Sequence, residues 1–241
     1  LFILGVIPAK AGSKGIKHKN IFPLAGRPLI HYTIFAANGS KLNDFVITTD
    51  IFKLIPFGAL LEKDKIIERP KKLAQDDTPM LPVIQHAVNE YEKRTGNYVD
   101  AVMTLQPTSP LRTAEDIDNC VRLFQKPLPD EHHLKLVGKP KEYWDSLVSV
   151  TWGIHPIKSY TVELEPFLPQ TEPYDKHKHK CLTRNGAIFI TRRDLLDSGR
   201  LIGDYPLFYV MPKSRSIDID DHEDLMIAEA ILKYREGDGG D

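Results

Sequence analysis

The sequence predicts a three-layer α/β domain built on a mostly parallel sheet. Three observations carry this. Short β-branched apolar runs recur at 2–7, 45–49 and 101–105; each passes into a loop rich in glycine, proline or charge; and segments with helical apolar spacing fill the intervals. With 241 residues, 41% hydrophobic and 27% charged, the chain suits one large domain or a domain with an appendage.

The first run, Phe2 to Ile7, is closed by Pro8 and reads as a buried strand. It spills into a loop that holds Gly12 and Gly15 around Ser13 and Lys14, with Lys10, Lys17 and Lys19 nearby. Glycines let backbone N–H groups turn toward an anion, Ser13 adds a hydroxyl donor, and lysines place point charges on phosphate oxygens. The spacing is neither a Walker loop nor the three-glycine dinucleotide fingerprint, and a solvated basic loop is the plain alternative. Pro28 then opens a helix with Leu29, Ile30, Thr33, Ile34 and Ala37 inward, stopped at Asn38-Gly39.

Phe45 to Thr49 is the second strand. It ends in Asp50, an acid either at the ligand-binding edge of the sheet or simply terminating the strand. Asp77 or Thr78 either caps a helix whose stripe is Leu81, Ile84, Val88 and Tyr91, with its stop at Thr95-Gly96-Asn97, or belongs to a ligand-facing loop before it. Ala101 to Leu105 is the third strand. It enters Gln106-Pro107-Thr108-Ser109-Pro110-Leu111-Arg112, where two prolines stiffen a turn and leave polar groups at a strand's carboxyl end. Arg112 faces either an anion or an acid of the next helix, Glu115 or Asp116; that helix turns Ile117, Val121 and Phe124 inward.

Residues 127–145 lose the pattern and read as a long loop. Its His132 and His133 are read as solvated, since adjacent histidines diverge and no third ligand is near, and His177 and His179 further on as part of an exposed basic run. Leu147 to Thr151 is another strand. In Ser216-Ile217-Asp218-Ile219-Asp220 an extended strand would put both carboxylates on one face and both isoleucines in the core. Paired hard carboxylates suit Mg²⁺, which bridges to substrate phosphates. Asp220 competes as the cap of a helix over 221–234, with Glu223 completing a capping box, so Asp218 carries the metal expectation more firmly.

Composition excludes several classes. Lys plus Arg is 32 against 33 for Asp plus Glu, so no general basicity points to nucleic acid. No apolar run approaches the ~20 residues that span a bilayer and no signal segment is visible, so a cytoplasmic setting without membrane partners is expected. Cys120 and Cys181 form no disulfide or zinc framework. The chain opens at Leu1 inside its first apolar run, so a few preceding residues are expected.

The strings Pro8-Ala9-Lys10-Ala11-Gly12-Ser13-Lys14-Gly15, Pro23-Leu24-Ala25-Gly26-Arg27-Pro28-Leu29, Leu105-Gln106-Pro107-Thr108-Ser109-Pro110-Leu111-Arg112 and Arg184-Asn185-Gly186-Ala187 resemble those of the CMP-sugar synthetases, the cytidylyltransferases of acylneuraminate and related nonulosonic acids. The resemblance covers most of the chain, with gaps at 51–65 and 127–146, and departs at Lys10, where the family carries Arg. It implies a nucleotide-diphospho-sugar transferase-like fold. Residues 1–150 would form the nucleotide-binding core, 151–180 a dimerisation arm of a homodimer, and 181–241 a return to the core. It also implies activation of a nonulosonic acid by CTP, giving the CMP-sugar and pyrophosphate with Mg²⁺. Lys10, Ser13, Lys14, Lys19 and Asn20 would hold the triphosphate and ribose, and Arg69 would lie beside the nucleotide. Gln106 and Arg112 would serve the acid, Arg184 would meet a substrate anion or the partner chain across the dimer, and Asp218 and Asp220 would sit on the metal; Lys14 and Asp218 are the residues placed at the chemistry. A CMP-Kdo synthetase and a catalytically silent nucleotide-binding protein on this scaffold are the competing readings.

Overall fold

The structure is a computed structural model and describes residues 1–13, 15–51, 63–127, 143–154, 180–204 and 206–237. Lys14, the four histidines 132, 133, 177 and 179, and most of the expected arm therefore lie outside the described residues.

Nine strands and five helices follow in chain order among them. They are β1 (Ile3–Ala9), the two-residue strands β2 (Pro23–Leu24) and β3 (Arg27–Pro28), α1 (Leu29–Asn38), β4 (Asp44–Thr49), β5 (Ile66–Glu68), α2 (Met80–Thr95), β6 (Ala101–Leu105) and α3 (Ala114–Phe124). The remainder are β7 (Ser146–Ile154), β8 (Lys180–Arg192), α4 (Arg193–Asp197), β9 (Pro206–Val210) and α5 (His222–Gly237). Seven strands form one sheet in the order β5-β4-β1-β6-β8-β7-β9. β8 alone opposes its neighbours, so the sheet is mostly parallel. Since β8 lies between β6 and β7, chain from both sides of residues 155–179 shares this one sheet.

The β1 side chains explain why it sits centrally. Ile3, Ile7 and Ala9 join the cluster beneath α1 and α3, while Leu4 and Val6 join the one formed with α2. A strand covered on both faces needs a continuous apolar run, which is what the sequence supplies. The strand order reverses beside β1, whose successors β4 and β5 lie to one side and β6 to the other. In open α/β sheets the crevice at the carboxyl ends of such strands receives ligands.

The starts of α2 and α5 differ from expectation, and that of α3 does not. Pro79 precedes α2 without a side-chain cap, so neither Asp77 nor Thr78 fills that role. Thr113 and Asp116 form a full capping box on α3. Residues 216–220 belong to no strand; Ile219 is held by its N–H to the Thr108 carbonyl at 2.8 Å. The apolar half of that expectation survives, since Ile219 is buried and Ile217 packs beside it, in a cluster with Leu225 and Ala228 of α5. The cap of α5 is Asp221, whose Oδ1 accepts the N–H groups of Glu223 and Asp224, while Asp224 Oδ2 accepts those of Asp220 and Asp221. Asp220 keeps its own carboxylate out of the cap.

Candidate active site

A cavity of about 370 Å³ opens at the carboxyl ends of β1 and β6. Lys10, Gly12, Ser13, Lys19 and Asn20 line one side, Gln106 and Thr108 another, and Arg69, Gln75 and Asp76 a third. The fold thus brings together six of the expected residues: Lys10, Ser13, Lys19, Asn20, Arg69 and Gln106.

The loop after β1 is held by side chains distant in sequence. Asp50 Oδ1 accepts the Ala11 N–H at 2.8 Å, so this acid fixes the entry to the loop. Asn20, nearly buried, donates Nδ2 to the Lys10 carbonyl at 2.9 Å and draws the two ends of the loop together. Ile16 anchors it in the cluster with Leu24, Leu29 and Ile219. Gly15 passes so close to the next segment that a Cβ there would lie 2.2 Å from the Asp220 carbonyl oxygen. Two of the lining lysines are paired: Lys10 Nζ donates to Asp76 Oδ1 at 2.8 Å, and Lys19 Nζ to the Ile219 carbonyl at 2.6 Å and to Asp220 Oδ1 at 3.0 Å, residues that do not line the cavity.

Arg69 follows β5 and is 5% exposed. Its Nη2 donates to the Thr48 carbonyl at 2.8 Å, and burial lowers its pKa to about 10 against the opposing charge of Asp50. A cation this desolvated is a strong donor to any anion or carbonyl in the cavity.

Arg112 departs from expectation. It is 3% exposed and lies under the loop instead of lining the cavity. Its guanidinium donates to the carbonyls of Gln106 and Ser109 and to Thr33 Oγ1. Burial lowers its pKa to about 10, with Asp116 opposing. The Asp116 carboxylate is instead taken by Arg215, Thr113 and Tyr209. Arg112 therefore shapes the turn that presents Gln106.

Arg184 lies in a second cavity, of about 210 Å³, with Gln106, Met80, Phe189, Leu201 and Ile202. Gln106 and Met80 line both cavities, so the two adjoin. Leu201 and Ile202 carry no sequence signal, sitting in a loop after the short α4.

Asp218 is half-buried beside Thr108, and its Oδ1 is a buried oxygen with no hydrogen-bond partner among the described residues. Burial raises its pKa, the charges of Asp220 and Asp224 add to this, and a bond with Thr108 opposes it. No group of three or more His, Cys, Asp or Glu side chains suited to a metal occurs among the described residues. Mg²⁺ does not need one: it takes one or two carboxylates, waters and substrate phosphates. An orphaned buried carboxylate oxygen beside a second carboxylate fits that demand.

The sequence profile described as cytidylyltransferase matches residues 4–204. The chain belongs to the cytidylyltransferase family. It is 33% identical to the N-acylneuraminate cytidylyltransferase of Escherichia coli over 97% of this chain and 52% of that protein, so it spans about half of that relative's length. It is 28% identical to the CMP-N,N'-diacetyllegionaminic acid synthase of Legionella pneumophila, covering 97% of each. The solved structure of a CMP:2-keto-3-deoxy-manno-octonic acid synthetase complexed with CTP superposes with a TM-score of 0.64 at 13% identity, covering 97% of this chain and 99% of that one. That likeness bears on the fold. Cytidylyltransferases of this kind generally use a divalent metal. No helix among the described residues is long and apolar enough to cross a membrane.

Proposed function

We propose that this cytidylyltransferase couples CTP to a nonulosonic acid of the sialic type, giving the CMP-sugar and pyrophosphate. The observation that carries the reading is the crevice at the ends of β1 and β6, where Lys10, Lys19, Arg69 and the Gln106 turn converge. The E. coli and Legionella relatives, whose names specify acylneuraminate and diacetyllegionaminate chemistry, support it.

Lys10, Ser13 and Lys19, with Lys14 from the same loop, hold the triphosphate, and Asn20 keeps the loop in its phosphate-facing shape. Arg69 serves the nucleotide from the opposite wall. Gln106 and Arg184 orient the acid from the second cavity, Arg184 pairing with its carboxylate. The anomeric hydroxyl oxygen bonds to the α-phosphorus while the bond from that phosphorus to the β-phosphate's bridging oxygen breaks. Pyrophosphate leaves and the hydroxyl proton is released. Such a reaction gains from positioning and charge neutralisation more than from covalent help.

Asp218, with Asp220, holds the divalent ion, which we take to be Mg²⁺; when bound it supplies charge neutralisation on the phosphates. Burial and the charge of Asp220 raise the Asp218 pKa against Thr108 and Lys19, and the ionised form would be favoured with a divalent ion bound.

The reading extends to a homodimer in the cytoplasm. Trp152 and Leu182 pair directly across β7 and β8 and are 55% and 41% exposed, leaving an apolar surface where the two strands run toward residues 155–179.

The experiment is mass-spectrometric detection of the CMP-sugar from CTP and Mg²⁺ with a panel of nonulosonic acids and Kdo. A CMP adduct with a nonulosonic acid is expected. An adduct with Kdo alone would replace the substrate assignment. No adduct, with CTP still bound, would favour a silent nucleotide-binding protein.

A further inference from the structure

Strand β8 does not run straight past the site. Its ladder with β7 pairs Phe189 with Val148 and Arg184 with Val150, so residues 185–188 face the single residue Ser149. Such a bulge bends the strand and re-aims its side chains. Ser149 repairs the ladder: its hydroxyl accepts the Ile188 N–H at 2.8 Å and donates to Asn185 Oδ1 at 2.6 Å. Asn185, 5% exposed, also accepts the Ala187 N–H, and donates Nδ2 to Ser216 Oγ at 2.9 Å. Ser216 in turn donates to the Pro212 carbonyl at 2.8 Å. This relay ties the bulge to the first residue of the segment that carries Asp218 and Asp220.

The next residue completes the arrangement. Gly186 has a φ of 74°, in the left-handed region, and a Cβ on it would lie 2.8 Å from Asp218 Oδ2 and 3.3 Å from Asp218 Cγ. The Asp218 carboxylate occupies the space that the absent side chain leaves.

We propose that the bulge at Asn185 and Gly186, tied by Ser149 and Ser216, positions the Asp218 carboxylate for its divalent cation. The proposal rests on the metal reading above. Asn185 and Gly186 are positioning residues: the bonds of Asn185 go to Ser149, Ala187, Ser216 and Met211, and Gly186 supplies room. Arg184 directly precedes them, so the bulge also sets the spacing between the acid-binding cavity and the metal carboxylate.

The test measures Mn²⁺ binding to the full chain with CTP, read by loss of the free-ion EPR signal, with CTP affinity measured separately in EDTA. Gly186→Ala is expected to weaken Mn²⁺ binding at least tenfold and to leave metal-free CTP affinity within about twofold. Gly96→Ala is the control for backbone strain, since Gly96 has a φ of 75° but open space around it. It is expected to lower the melting temperature without moving Mn²⁺ affinity. Ser216→Ala, which cuts the relay without crowding, is expected to weaken Mn²⁺ binding several-fold and decides the matter if Gly186→Ala does not fold. Wild-type Mn²⁺ affinity in Gly186→Ala, or in Ser216→Ala in that case, overturns the proposal alone. A wild-type protein that binds CTP but no Mn²⁺ overturns the metal reading and the proposal together.

Discussion

Lys19 joins the phosphate loop to the carboxylate segment, donating to the Ile219 carbonyl at 2.6 Å and to Asp220 Oδ1 at 3.0 Å. Two stretches 200 residues apart are thereby fixed against each other, so the loop after β1 and the segment carrying Asp218 and Asp220 form one unit. The Asp220 side chain is 82% exposed, so its ion pair alone adds little. The shielded bond to the carbonyl contributes more, about 1.5–3 kcal/mol. Lys19→Met is therefore expected to lower stability by about 2 kcal/mol in urea denaturation, and to weaken CTP binding at least tenfold by calorimetry.

The Lys10 ammonium pairs with Asp76 at 2.8 Å. Lys10→Arg adds a planar fork for phosphate oxygens. It is expected to tighten CTP binding a few-fold, while Lys10→Met weakens it by about tenfold or more, a factor of ten being about 1.4 kcal/mol.

Arg112 gives the opposite pattern. With its donors on carbonyls and Thr33, Arg112→Met leaves buried acceptors unpaired and is expected to cost about 3 kcal/mol or more. Arg112→Lys recovers only part, since one ammonium cannot replace the fork. Steady-state kinetics on the folded fraction should show no selective rise in the KM for the acid, whereas Arg184→Ala should raise it with the KM for CTP unchanged.

Asp116 makes stability depend on pH. Burial alone would raise its pKa, but bonds from Arg215, Thr113 and Tyr209 outweigh that and hold it below the ordinary carboxylate value. A depressed folded pKa stabilises the protein above the unfolded pKa of about 3.9 and is lost as pH falls through the folded value. Asp116→Asn should therefore be less stable by about 1–3 kcal/mol at pH 7. Urea denaturation at decreasing pH should show the gap to wild type narrowing below about pH 4.

The parts of the fold legible in the sequence were those where one physical signal had no rival. The runs that became β1, β4 and β6 are apolar on both faces, and the stripes of α1, α2 and α3 repeat over several turns. Short elements carried too little pattern: α4 spans five residues, and β9 has both faces part-exposed. The acids at 218, 220, 221 and 224 all suit a cap or a metal. Only the observed bonds assign Asp221 and Asp224 to the helix and leave Asp220 to Lys19. Arg112 shows its charge in the sequence but not its direction, which depends on carbonyls of its own turn. Asn185 and Gly186 carry no local sign of the bulge, because it depends on Ser149, 36 residues away.

The most direct test of the central claim is pyrophosphate release from CTP with nonulosonic acids, measured with and without Mg²⁺ beside Asp218→Ala. The account predicts metal-dependent release with at least one acid and a loss of about a hundredfold or more in the variant, comparable to removing one preorganised electrostatic group. Equal release by Asp218→Ala, or release that ignores added metal and EDTA alike, would contradict it.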